Sequence, residues 1–342
     1  MYIQFLKYRK IYFLFSGILI LASVAALIVF GLRFGIDFVG GSLLEIEYKN
    51  IRPSSEEIKT DLKDLNLGEI VIQPTGEKGV IIRTIATDIE TREMVIKRLQ
   101  ERTDLTVMRN DLIGPVIGRE LRESTILIAL LSILVIVIYI TLAFSRVSVP
   151  VASWQYSVVS LIALIHDVVI TLGVFALLGH FYYVEITIPI IVALLIILGY
   201  SINDTVVVFD RIRENLIKKI GETYEETVNF SLNQTLIRSI NTSLTTLFPL
   251  IAIFFFGGVT LKYFALALII GITFGVYSSL FLAGPLLVTR AERSEAKRKD
   301  ERSSSPTRAE RSEAKRKDER SSSPTRAERS EAKRQRRHSL FE

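Results

Sequence analysis

Apolar residues in this chain collect into runs near 11–31, 125–144, 154–178, 186–208, 241–257 and 262–288, with charge gathered between them. A helix needs about 20 apolar residues to cross the roughly 30 Å of hydrocarbon in a bilayer. Inside lipid the backbone must satisfy its own hydrogen bonds, which helices do. The pattern therefore predicts a polytopic α-helical membrane protein with six transmembrane helices. The first run follows a basic start (Lys7, Arg9, Lys10), as a signal peptide would. It is too long for an ordinary signal core, and the Phe30-Gly31-Leu32-Arg33 that follows offers no small-x-small cleavage site. It reads as an uncleaved span.

Lys and Arg in short flanks set orientation. They occur before the first run, at Arg146 between the second and third, and at Arg211, Arg213, Lys218, Lys219 and Arg238 between the fourth and fifth. Residues 179–185 carry none, and 258–261 carry none before Lys262. Both termini are expected in the cytoplasm. Residues 32–124 are then translocated as an extracytoplasmic domain between helices 1 and 2, residues 125–290 carry helices 2–6, and 291–342 form a cytoplasmic tail.

The 32–124 segment reads strand, helix, strand, strand, helix, strand. Leu43–Tyr48 alternates, and Pro53-Ser54-Ser55-Glu56 opens a helix to about Leu65. Glu69–Gln73 and Val80–Ile85 are β-branched runs around Thr75-Gly76. Thr87-Asp88 starts a second helix whose apolar side is Ile89, Val95, Ile96 and Leu99, and Leu105–Arg109 closes the set. This order is that of the α+β ferredoxin-like fold, which many functions share.

The net charge of +6 belongs wholly to the tail, where 17 basic and 11 acidic residues lie in 291–342, leaving 25 of each sign elsewhere. The body therefore carries no basic excess of the kind nucleic-acid binding requires. Ala291–Arg308 reads AERSEAKRKDERSSSPTR, Ala309–Arg326 repeats it, and a truncated copy begins at Ala327. These units have no apolar face to bury and read as disordered, with transient helix in their EAKRK blocks. A solvated tail and a tail that binds a cytosolic partner, ribosome or anionic lipid are both compatible with the composition. Absence of cysteine excludes disulfides and thiolate chemistry. No phosphate-binding Gly-Lys-Ser/Thr loop occurs, and His166, His180 and His338 are scattered, so no ATP, metal or other cofactor is expected.

Ionisable residues inside a span are costly and mark function. The fourth span, IPIIVALLIILGYSINDTVVVFDRIREN, carries Asp204. At 1.5 Å per residue it lies about 8 Å inside the surface reached by Asp210-Arg211. Tyr200 shares its face at i, i+4, and Asn203 adjoins it. Entering the fifth span, Arg238, Asn241, Thr242 and Thr245 form one polar stripe at i, i+3, i+4, i+7. An antiparallel neighbour puts Arg238 near Asp204, where a guanidinium could hold the carboxylate ionised and release it on protonation. An interhelical hydrogen bond at Asp204 and a snorkelling anchor at Arg238 are the structural alternatives. His166-Asp167 in the third span is either a second protonatable station or a packing pair. Ala267, Gly271, Gly275 and Ser279 form a small-residue ridge for close helix approach or for sliding.

The stretches FGIDFVGGSLLEIEY, IALIHDVVITLGVFAL, VALLIILGYSINDTVVVFDRIREN, LIRSINTSLTT and IIGITFGVYSSLFLAGPLL occur in this order over about residues 1–290. In them the chain resembles the SecF family of bacterial protein-export membrane proteins, of RND superfamily type; the tail repeats are not part of that pattern. The resemblance implies a multi-pass protein of the cell inner membrane. Its implied partners are a homologous SecD, the SecYEG channel, the SecA ATPase and YajC, with unfolded preprotein as substrate. It implies use of the proton gradient in late translocation, with Asp204 and Arg238 as the proton-linked pair and no enzymatic activity. The turn Asp37-Phe38-Val39-Gly40-Gly41 joins the outer domain to the first span, its glycines allowing tight geometry and Asp37 reading as a turn or cap residue before a chemical one. Two other functions compete. Asp167 and Asp204 in an intramembrane aspartyl protease would present Tyr-Asp and Gly-x-Gly-Asp, which this chain lacks. An independent exporter of the superfamily would need a second half.

Overall fold

The computed structural model describes residues 2–65, 67–68, 70–85, 88–145 and 151–304. Glu69, Thr87 and Arg146, used in the reading above, lie outside the described residues, as do 305–342 with the later tail repeats. Residues 1–291 form one compact unit.

Among the described residues, six helical segments are long and apolar enough to cross a membrane: Phe5–Phe30, Pro115–Ala143, Ser153–Tyr182, Ile188–Ile217, Tyr224–Phe256 and Leu261–Lys297. Each expected span falls on one of them. In the first, a 3₁₀ turn at Phe5–Tyr8 leads into α1 (Arg9–Phe30). The next four are α5 (Pro115–Ala143), α6 (Ser153–Tyr182), α7 (Ile188–Ile217) and α8 (Tyr224–Phe256). The last comprises α9 (Val259–Tyr277), a π-helical turn at Ser278–Ala283 and α10 (Gly284–Ser304).

The helices run past the apolar stretches. α5 begins at Pro115, where proline suits the first turn, so residues 115–124, assigned above to the soluble domain, are helix. α8 begins at Tyr224 behind a Thr223 cap that accepts the Glu226 N–H. Ala291–Ser304, read above as structureless apart from transient helix, is helical. Ala, Glu, Lys and Arg favour helix, and extending a turn already formed escapes the cost of nucleation.

Between α1 and α5 lie α2 (Ile36–Val39), β1 (Gly41–Tyr48), α3 (Ser55–Asp61), β2 (Ile70–Thr75), β3 (Gly79–Thr84), α4 (Ile89–Arg102) and β4 (Leu105–Ile113). The strands form an antiparallel sheet in the order β2-β3-β1-β4, the ferredoxin-like arrangement. Leu44, Ile46, Tyr48, Val80 and Ile82 pack on Ile58, Leu62, Val95 and Leu99 of the helices. Ile89, placed above on the apolar side of α4, is exposed. Ser54 and Glu57 form a reciprocal capping box at the start of α3.

The small-residue ridge faces α7. A Cβ on Gly271 would collide with Ile197, and one on Gly275 would lie 3.5 Å from Ser201 Cβ. Ser279 bonds Thr205, hydroxyl to hydroxyl, at 2.8 Å. Residues 271, 275 and 279 thus oppose 197, 201 and 205, two four-residue rows in contact, and Ala267 is fully buried in the same cluster.

Candidate functional site

Two carboxylates are buried among the helices. Asp167 of α6 is fully buried and Asp204 of α7 is 6% exposed. Ionised carboxylates at such depth cost several kcal/mol, and a hydrogen bond to a charged group returns about 1.5–3 kcal/mol. The count of donors therefore decides how each is held.

Asp167 has partners on both oxygens. Ser201 and Ser278 donate to its Oδ2 at 2.6 and 2.8 Å, and His166 Nδ1 lies 2.9 Å from Oδ1. The His166 ring stacks on Tyr277, and its Nε2 is buried without a partner. Asp204 is less well served. Ser239 of α8 donates to Oδ1 at 2.6 Å, while Oδ2 is buried with no hydrogen-bond partner. Ser279 lies within reach of the same carboxyl. Among the described residues Oδ2 of Asp204 has no hydrogen-bond partner, whereas each oxygen of Asp167 has at least one. Of the two, Asp204 has the less complete set of hydrogen-bond partners.

The expected contact between Asp204 and Arg238 is not made. Arg238 is near enough for its charge to act on Asp204, yet no ion pair joins them among the described residues. The reason lies in the face α8 presents. Ser231, Thr235, Ser239 and Ser243, spaced by four, are buried, so the α7-facing stripe is one of hydroxyls. Arg238, Asn241, Thr242 and Thr245 lie round the helix and are exposed, as is Asn203 on α7. Thr242 and Thr245 donate to carbonyls of their own helix, those of Arg238 and Thr242. Tyr200 faces α8 as its shared face with Asp204 implies, donating to the Thr242 carbonyl at 3.0 Å. Arg238 and Thr235 line a cleft with Asp210 and Arg211 of α7, nearly two turns beyond Asp204.

Sequence reasoning missed the buried stripe. Its signal was available as four hydroxyl residues at a four-residue period, but Arg238 and its row were the stronger polar feature. Asp167 and Asp204 make no direct contact among the described residues.

A separate cluster joins the α+β domain to the helices. Asp37 Oδ2 accepts the Ile188 N–H at 2.9 Å, capping α7, whose own N-cap side chain makes no such bond. Ile186 N–H donates to the Arg33 carbonyl at 2.6 Å and Gly35 N–H to the Ile186 carbonyl at 2.8 Å. Gly40 and Gly41 have φ of 79° and 132°, and a Cβ on Gly41 would sit 2.5 Å from the Thr84 carbonyl oxygen. Arg83 of β3 pairs with Glu185 at 3.1 Å, with side chains 12% and 13% exposed. Burial lifts Glu185 above the usual carboxylate value, against the pull of Arg83 and Arg33. Burial likewise lowers Arg83 from the usual arginine value, with Glu185 opposing.

Six membrane-length helices, a ferredoxin-like insertion after the first and hydroxyl-lined carboxylates between helices define a polytopic membrane protein with a polar, protonatable interior. The comparisons narrow this class. Residues 93–293 match the model for the protein export membrane protein SecD/SecF C-terminal region, and residues 25–50 match the SecD/SecF GG motif. The chain belongs to the SecD/SecF family. It is 39% identical to the protein translocase subunit SecF of Thermobaculum terrenum, over 84% of this chain and 93% of that one. It is equally similar to the SecF of Synechocystis, with the same coverage. Among solved structures, SecDF of Thermus thermophilus superposes with a TM-score of 0.76 at 33% identity, over 85% of this chain and 39% of that one. The chain therefore spans about two fifths of that longer protein.

Proposed function

We propose that this chain is a SecF-like subunit of the bacterial protein-export machinery, using the proton motive force together with a SecD-like homologue to drive late steps of preprotein translocation. The observation that carries the proton reading is the buried Oδ2 of Asp204, which has no hydrogen-bond partner among the described residues while Ser239 donates to Oδ1. The cleft at Asp210, Arg211 and Arg238 supports an approach for protons from the cytoplasmic side. On this reading Asp204 carries the proton, Arg238 biases it through its field, and Asp167 with His166 forms a second station.

The exposed side chains of Asn203, Arg238 and Asn241, on the row that Thr242 and Thr245 continue, support a polar partner helix at membrane depth, since lipid satisfies none of these three. A six-span SecD-like homologue fits that need and the shortness of this chain relative to SecDF. The same reading places the chain in the inner membrane with both termini cytoplasmic and the α+β domain outside. It works there beside SecYEG, with SecA supplying the earlier ATP-driven step and YajC as a further associate, and as a transport subunit without enzymatic activity.

The test is Asp204→Asn, assayed for gradient-driven export in inverted membrane vesicles. Export that depends on the gradient is lost, while membrane insertion and copurification with the SecD-like homologue persist. Export at the unmodified rate overturns the proton reading.

A further inference from the structure

Ser278 and Ser279 are consecutive residues, both fully buried, at the start of the π-helical turn. Such turns are rare and concentrate where a helix needs an altered register. Here the register gives each serine a different carboxylate. Ser278 donates to Asp167 Oδ2 at 2.8 Å. Ser279 bonds Thr205 at 2.8 Å and lies within reach of Asp204. The row opposite repeats the pattern: Ser201 donates to Asp167, and Thr205, one turn on, donates to the Ser201 carbonyl at 2.9 Å. Two carboxylates on two helices are thus joined through one pair of adjacent hydroxyls on a third.

We propose that Ser278 and Ser279 are positioning residues that couple Asp167 to Asp204. The inference rests on the proton reading of Asp204. A hydroxyl can donate to an ionised carboxylate or accept from a protonated one. When Asp204 takes up a proton, Ser279 turns from donor to acceptor, and its Thr205 bond reverses with it. Thr205, now accepting from Ser279, is free to donate to the Ser201 carbonyl, on the residue whose hydroxyl donates with that of Ser278 to Asp167. The π turn holds the two serines in one rigid step, so a shift in its register alters both contacts together. Other groups bear on the pair. Arg238 acts on Asp204 from α8, with Tyr200 one turn away on α7. His166 contacts Asp167, and Tyr277 stacks on His166.

The experiment titrates the full chain in nanodiscs and follows the infrared C=O stretch of protonated carboxyl groups, assigned to Asp204 by its loss in Asp204→Asn. Asp167→Asn is expected to move the Asp204 midpoint by about half a pH unit, roughly threefold in proton affinity. In a Ser278→Ala/Ser279→Ala background, Asp167→Asn is expected to move it by less than a third of that. Ser160→Ala, which removes a buried hydroxyl that has no partner, leaves the midpoint unchanged. A full shift from Asp167→Asn in the alanine background means that the carboxylates interact through space and overturns the proposal. So does an Asp204 midpoint indifferent to Asp167→Asn in the unmodified chain. Should the double variant fail to insert, Ser279→Ala alone is scored by the same criteria. Failure of the proton reading shows separately, as normal export from Asp204→Asn.

Discussion

Glu185 and Asp204 are both carboxylates withdrawn from water, and their surroundings differ in kind. Glu185, in the connection between α6 and α7, faces a guanidinium from β3 at 3.1 Å. Asp204, within α7, has a serine hydroxyl on one oxygen and, among the described residues, no hydrogen-bond partner on the other. A buried carboxylate opposite a cation is locked, because losing either partner leaves a bare charge. A buried carboxylate among hydroxyls is adjustable, since the same hydroxyls serve its charged and neutral forms. On the reading proposed here, the molecule keeps a fixed joint where the α+β domain meets the helices and a changeable element in the helical interior.

The contrast can be broken most forcefully at the joint. Glu185→Ala strands Arg83 and should cost about 3–5 kcal/mol, read as a lowered melting temperature in detergent. Replacing both partners, Glu185→Leu with Arg83→Met, should restore most of that loss. A single variant that melts like the unmodified chain would show that the pair fixes nothing.

A smaller effect is expected at the cap. Asp37→Ala should cost about 1 kcal/mol. It should raise hydrogen exchange at the first turn of α7 while leaving the β1–β4 ladder protected.

The smallest effect lies in pH dependence. Burial raises Glu185 above its ordinary 4.5, so the folded chain binds this proton more readily than the unfolded one. The contribution is complete below about pH 4.5 and is lost as pH rises through the folded value. Subtracting the Glu185→Gln melting curve from that of the unmodified chain should reveal a term that declines as pH rises above that point. A difference that grows with pH would reverse the assignment.

The spans were legible because about twenty apolar residues in water have few alternatives to a membrane or a core. Their ends were not, because α5 and α8 extend through polar sequence where propensity and capping decide. In the α+β domain the strand order was legible from alternation and turn residues, while Ile89 broke the pattern by its exposure. At the site, Asp204 was legible as an isolated charge. Its donor was not, because two polar rows run along α8 and only packing reveals which faces α7. Serine is small enough for the close approach of helices, so Ser239 rather than Arg238 takes the contact. The Arg83–Glu185 pair joins residues about a hundred positions apart, and neither is unusual in its local sequence.

The Asp37 cap has a mechanical consequence. α7 is a rod of 30 residues, held at its first turn by a residue from the chain that leaves α1. Asp204 sits about 24 Å along that rod at 1.5 Å per residue. With the first turn as pivot, a tilt of about 5° carries Asp204 sideways by about 2 Å over that arm, close to the difference between a hydrogen bond and none. The pinned end makes α7 a lever, with its fulcrum beside the α+β domain and its load at the carboxyl group.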